Sequence, residues 1–267
     1  RIGEERFRRE YNCEFLVYDE TLINSICLAG LEGKEPISRM GQTRWYKKID
    51  PNSIYVVTLD PSLGTGGNSA AIEVFELPSF TQVAEWQHNL TPIQGQIRIL
   101  REIVKYISDE MGESANGNLY WSIENNTVGE AGLVCIKDIG EENFAGLFVS
   151  EPVRKGHVRK FRKGFNTTHG SKIGASARLK YLIESGKMKI SSKPLISELK
   201  AFISTGVTFK AKSGEQDDLV SALLLLVRVS QVLGDWDVRV FDTITTGDAQ
   251  EDEDWEMPMP IFISSSM

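Results

Sequence analysis

The chain has 267 residues, 41% of them hydrophobic and 25% charged, which is ordinary for a globular protein with room for one sizeable core. No apolar run approaches the ~20 residues needed to cross a bilayer as a helix, so no membrane partner is expected. Three widely spaced cysteines, Cys13, Cys27 and Cys135, form no CxxC pair and signal neither a zinc site nor a disulfide framework.

Arg1 to Glu10 is charged throughout and does not read as a signal peptide. Because the first residue is not Met, the chain is read as a piece of a longer protein. Residues 1–50 read as a connecting arm, with a short amphipathic helix marked by Phe7, Tyr11 and Phe15 and an irregular stretch from Gly30 to Gly41. The regular fold begins near Ser53. Ile54 to Leu59 is β-branched and aromatic and ends in Asp60; Ala70 to Leu77 and Gln82 to His88 follow as strands, giving an antiparallel meander. Pro92 opens a helix with an apolar stripe of Ile93, Ile97, Leu100, Val104 and Ile107.

Asn118 to Ile123 is the next strand, and Glu124 stands at its end. Thr127 is expected to cap a helix reaching Gly140, with Glu130 completing a capping box. Ala145 to Val149 reads as a strand, Ser171 to Ser185 as a helix, Met188 to Ile190 as a short strand and Leu195 to Ile203 as a helix. Val207 to Lys210 reads as a sheet-edge strand. Gln216 to Leu233 is a strongly apolar helix with Asp217 and Asp218 in its first turn. This order predicts an α/β fold: a mixed sheet, three antiparallel strands and then parallel ones, with helices on both faces.

Asp60 and Glu124 end consecutive core strands, and Asp217 and Asp218 start a buried helix. Singly, each has an ordinary explanation: a turn acid before Pro61, a salt bridge, or carboxylates favoured by a helix dipole at ~0.3–1 kcal/mol. Placed on one sheet edge together, they would repel by ~4 kcal/mol per close pair at an intermediate dielectric. Hard divalent cations remove that cost. Two such ions ~3.5–4 Å apart perform phosphodiester chemistry. With no competing cysteine or paired histidine, Mg2+, replaceable by Mn2+, is expected over zinc.

At these residues the chain resembles a known family. Tyr55 to Gly64, Trp121 to Asn126 and Gly214 to Leu223 look like the three acidic motifs of large terminase nuclease domains from tailed phages of the T-even type. Phe7 to Phe15 looks like the segment that follows the ATPase domain in those proteins. The resemblance implies a ribonuclease H-like fold over residues 51–240. It implies an endonuclease that cuts double-stranded concatemeric viral DNA during genome packaging, in the host cytoplasm at the capsid portal. Asp60, Glu124 and Asp218 carry over as catalytic metal ligands, with Asp217 beside them. Partners implied through the full-length protein are its ATPase domain, the portal and the small terminase subunit. The ATPase half itself is absent, because no GxxxxGK[ST] occurs. The glycine-rich run Gly64 to Ser69 lacks the phosphate-binding lysine and reads as a turn beside the metal site, with Asn68 as an outer contact. Gln216 stands where some relatives carry a histidine.

Net charge is −7, but it is segregated. From Pro152 to Ile183 there are nine Lys or Arg residues and no acid, while Asp248 to Glu256 holds six acids. Arg154, Lys155, Arg159, Lys160, Arg162, Lys163 and Lys172 are therefore expected to contact DNA backbone, with Phe161 and Phe165 interleaved. Arg178 and Lys180 follow, and His157 and His169 are read either as phosphate contacts or as surface residues without function; for the basic run a solvated charged loop is the alternative. Trp86 and Trp121 read as core. Residues 241–267 are expected to be a disordered acidic tail. Rival functions are another ribonuclease H-like nuclease, such as a junction resolvase or integrase-type enzyme, and a DNA-binding packaging-motor module with little cleavage.

Overall fold

The computed structural model describes residues 21–155, 158–206 and 208–234. The expected N-terminal helix, His157 and the acidic tail lie outside them.

The centre is a seven-stranded mixed sheet. In chain order its strands are β1 (Ser38–Met40), β2 (Thr43–Trp45), β3 (Ile54–Asp60), β4 (Ala70–Leu77), β5 (Thr81–His88), β6 (Leu119–Ile123) and β7 (Leu147–Phe148). Spatially they run β1-β2-β5-β4-β3-β6-β7. The β3–β4–β5 meander is antiparallel, whereas β6 joins β3 and β7 joins β6 in parallel. That is the expected mixed sheet.

Helices cover both faces. On one side α2 (Ile93–Met111) lays Ile97, Leu100, Val104 and Ile107 against Tyr55, Val57 and Leu59, and α3 (Thr127–Ile139) adds Ile136. On the other, α4 (His169–Glu184), α5 (Lys193–Ala201) and α6 (Asp218–Gly234) pack over Val56, Ala71 and Phe75. Residues 54–59 of β3 are buried throughout because the strand has helices above and below and a strand on either side. Helix α6 crosses β3 and β4, where Thr58 Oγ1 donates to the Ala222 carbonyl at 2.9 Å.

The stretch read as an arm contributes more than a connection. Helix α1 (Ser25–Gly30) is capped by Asn24, and the β1–β2 hairpin extends the main sheet through β5. Trp45 anchors it, 2% exposed and 4.6 Å from the Tyr106 ring. Both elements are too short to leave a periodic pattern.

Four other expectations need correction. Asn126, not Thr127, caps α3, accepting from Gly129 N at 2.8 Å. Lys189 makes a single bridge to Thr81 rather than a strand at Met188 to Ile190. Helix α5 stops at Ala201, and β10 (Phe202–Ser204) pairs with β11 (Phe209–Ala211) in a separate two-stranded sheet, off the edge of the main one. Asp217 precedes α6 rather than lying inside it. Trp86 and Trp121 are core, 1% and 0% exposed.

Glu76 on β4 locks the sheet's far end. Burial opposes its charge, but hydrogen bonds from Lys47 at 2.6 Å, Ser53 at 2.7 Å and Ser79 at 2.9 Å outweigh it and hold the carboxyl below its ordinary range. A depressed folded pKa contributes stability above the unfolded value near ~4.3, lost as pH falls through the folded one. Glu76→Gln is therefore expected to lower Tm at pH 7, with the deficit shrinking below about pH 4; melting curves at both pH values decide it.

Candidate metal centre

Register places the first two acids side by side. Leu59 and Ile123 are partners in the parallel β3–β6 pair, so Asp60 and Glu124 are the next residues on neighbouring strands. Glu124 N donates to the Leu59 carbonyl at 2.9 Å. Adjacent strands stand about 4.8 Å apart, within reach of two carboxyl groups. The third acid arrives from the other direction. Helix α6 begins at Asp218, whose Oδ2 accepts from Ser69 N at 2.9 Å, immediately before β4. Because Asp60 pairs with Ala71 across β3–β4, Ser69 holds Asp218 at the same sheet end.

Asp60, Glu124, Asp217 and Asp218 all line one cleft of about 320 Å³, together with Asn68, Ser69, Asn126 and Ser221. The expected acids thus come together. Their roles differ. Asp218 is 7% exposed, and burial and the Asp217 charge raise its pKa against the hydrogen bond from Ser69 N. Asp217 accepts from Ala211 N at 3.3 Å and lies 3.8 Å from Lys172 Nζ, so its carboxylate is directed partly away.

Asp60 keeps some surface in the cleft, yet enough protein surrounds it to desolvate its charge. Burial first, then the Glu124 charge and a hydrogen bond with Glu124, push its pKa well upward; Asp218 and Asp217 add to this. Carboxylates crowded in this way repel one another. Among the described residues no group of three or more His, Cys, Asp or Glu side chains is already arranged as a metal cage. Asp218 is turned to Ser69 N and Glu124 to Asn126 Nδ2. The donor set nonetheless fits a hard cation. It is all oxygen, its negative charges are crowded, and a cation among them would relieve the repulsion.

Three supporting residues left little trace in the sequence. Asn126 caps α3 through Oδ1 and donates through Nδ2 to Glu124 Oε2 at 2.8 Å. Gly129 packs so closely on the Glu124 carbonyl that a Cβ there would lie 1.8 Å from its oxygen. An isolated glycine inside a helical pattern was the available signal. Glu198 of α5 caps α6, accepting from Leu219 N at 2.8 Å and Val220 N at 3.1 Å, and Gln87 donates to its other oxygen. Burial raises Glu198 to about 7 despite those bonds, with the Asp218 charge adding to the rise. Its partners are 21 or more residues away, which no local pattern announces.

The basic segment forms a hairpin, β8 (Glu151–Lys155) and β9 (Val158–Arg162), followed by α4. Its base is tied to the acid cleft. Phe165 N donates to the Ile123 carbonyl at 3.0 Å and Asn125 N to the Phe165 carbonyl at 2.7 Å. Phe165 is 1% exposed, an anchor in the core rather than an aromatic among surface charges. Arg228 of α6 clamps the base further, donating to Glu151 Oε1 at 2.6 Å and to the Asn166 carbonyl at 3.1 Å. Lys160 is exposed, Lys163 pairs with Glu141, and Lys172 also lies over the Phe202 ring.

No protein-family model matches the chain. Among solved structures, it is similar to the large terminase nuclease from thermophilic phage G20c with bound magnesium, at 18% identity and a TM-score of 0.56, over 78% of this chain and 96% of that one. The fold is the terminase-nuclease fold. The Thermus phage P74-26 large terminase nuclease domain matches at 18% identity and a TM-score of 0.52, over 74% of this chain and 90% of that one. The human cytomegalovirus terminase nuclease domain matches at 9% identity and a TM-score of 0.51, over 82% and 97%. This terminase-nuclease fold is ribonuclease H-like, as the acidic motifs imply. At such identities the likeness extends to the fold, and chemistry has to be argued from the side chains.

Proposed function

We propose that this chain is a metal-dependent endonuclease that cuts double-stranded DNA during viral genome packaging, as part of the large terminase subunit of a tailed, T-even-type phage. The observation that carries this reading is the convergence of Asp60, Glu124 and Asp218 on one cleft from two parallel strand ends and a helix start. The fold agrees with it, and the G20c nuclease has been solved with magnesium, cobalt and zinc.

Asp60, Glu124 and Asp218 would hold Mg2+, with Mn2+ as a substitute, and Asp217 would assist from the rim. Two such ions, when bound, supply an activated water and neutralise charge on the leaving oxygen. The chain's own residues supply the setting. Asn126 orients Glu124, Ser69 orients Asp218, and Glu198 keeps the start of α6 in place. Arg154, Lys155, Arg159, Lys160, Arg162, Lys163 and Lys172 would hold the backbone of linear duplex DNA, in a sequence-independent manner. In the full-length protein the substrate would be concatemeric DNA at the capsid portal, with the ATPase domain and small subunit as partners.

The test is plasmid cleavage with Mg2+ or Mn2+, against EDTA. Cleavage is expected with either ion and none with chelator. Asp218→Asn should fall by about 10³-fold, as expected for a direct ligand, and Asp217→Asn by about 10–100-fold, as expected for a supporting group. Full cutting in EDTA, or a strong preference for branched DNA over linear duplex, would count against this reading.

A further inference from the structure

Beside the acid cleft lies a second, polar one of about 520 Å³, lined by Asn125, Asn126, Thr127, Glu130, Arg162 and Asn166. The two clefts share Asn126 in their linings. From this geometry we infer that the second cleft is a phosphodiester subsite, holding the backbone phosphate that flanks the cut on the same DNA strand. The inference rests on the nuclease reading and adds to it the path of the strand: across the acids, past Asn126, and onto the base of the hairpin.

Arg162 supplies the cation. It ends β9 and is 44% exposed, 3.7 Å from Glu151. That pairing is loose, since Glu151 already accepts from Arg228 Nη2 at 2.6 Å and from Asn166 N at 3.1 Å. The guanidinium fork therefore keeps donors for a second anion, and two non-bridging phosphate oxygens match it. At the start of α3 the Asn126 side chain already takes the Gly129 N–H.

The position of Arg162 relative to the acids is built into the backbone. Gly164, two residues on, has φ of +67°, and a Cβ there would lie 2.7 Å from the Ile123 carbonyl oxygen. Only glycine lets the exit of the hairpin lie against the strand end carrying Glu124. Asn125 Nδ2 then donates to the Lys163 carbonyl at 2.8 Å, closing the seam. One group in the cleft opposes an anion: Glu130, exposed at its rim.

The experiment uses the two opposed charges. Anisotropy of a labelled linear duplex is measured in EDTA from 50 to 200 mM salt, for wild type, Arg162→Gln and Glu130→Gln. Losing one phosphate contact should weaken Arg162→Gln several-fold and reduce its slope of log affinity on log salt by about 0.9. Glu130→Gln should bind more tightly. In cleavage, Arg162→Gln should raise KM with little change in kcat. An unchanged salt slope in Arg162→Gln, or a Glu130→Gln protein that binds no tighter, overturns the subsite. Should Arg162→Gln melt early, Glu130→Gln decides alone, its side chain being at the surface. Absence of cleavage in wild type would instead sink the nuclease reading, leaving the binding comparison standing.

Discussion

Asp60→Asn is expected to reduce DNA cleavage by about 10³-fold or more while making the protein more heat-stable without added metal. The two effects have one cause. Asp60 is desolvated and near the charges of Glu124, Asp218 and Asp217. An amide of the same shape removes one charge from that group, and each kcal/mol of relieved repulsion is worth ~2–4 °C in Tm for a domain this size. The same change removes a ligand whose charge would hold a divalent ion, and ~4 kcal/mol of lost transition-state stabilisation corresponds to about three orders of magnitude in rate. A linked measurement sharpens the case. Mg2+ or Mn2+ binding only the folded wild type should raise its Tm with concentration, and Asp60→Asn should largely lose that response. Cleavage by Asp60→Asn at the wild-type rate would remove Asp60 from the mechanism. A Tm below that of the wild type without metal would mean that the carboxyl stabilises the fold and does not strain it.

How much of this was visible beforehand varies with the distance over which each residue acts. β3, β4, β5 and β6 were legible because buried strands leave apolar, β-branched runs, and their ends located Asp60 and Glu124. The start of α6 was legible to within two residues for the same reason, its interior being buried from Ala222 to Val229. The β1–β2 hairpin was not, since three-residue strands show no period and its anchor Trp45 is explained only by Tyr106 far along the chain. The charge of the 152–183 segment was plain, but its use was not. Phe165 looked like a companion to the basic residues and is instead buried against the end of β6. Glu198 lies inside a predicted helix, and only its hydrogen bonds from Leu219 and Val220 reveal it as the cap of the helix that carries Asp218. Sequence thus located the acids, whereas their support comes from contacts between distant segments.

Gly129 gives the sharpest expectation about that support. It lies in the first turn of α3, directly over the backbone of Glu124, where an added Cβ would come 1.8 Å from the carbonyl oxygen and 2.9 Å from its carbon. Neither atom can swing away as a side chain would. The Glu124 carbonyl belongs to the stretch joining β6 to α3, and Glu124 N is held to Leu59 across the sheet. Gly129→Ala must therefore shift the helix start, the strand end or both by about an ångström, and a displacement of that size in catalytic groups costs about 10²-fold in rate. Stability should fall as well, by ~1–3 kcal/mol, as for other overpacked sites. The informative comparison is Gly174→Ala in α4, where a new Cβ meets nothing within 4 Å. There the helix should gain up to ~1 kcal/mol from alanine's propensity, with cleavage unchanged. Assays of both variants at a temperature where both are folded separate misplacement of Glu124 from global loss of structure. If Gly129→Ala is folded and cuts at the wild-type rate, the carboxylate beyond that carbonyl has no exacting position to keep, and its place among the metal ligands falls with it.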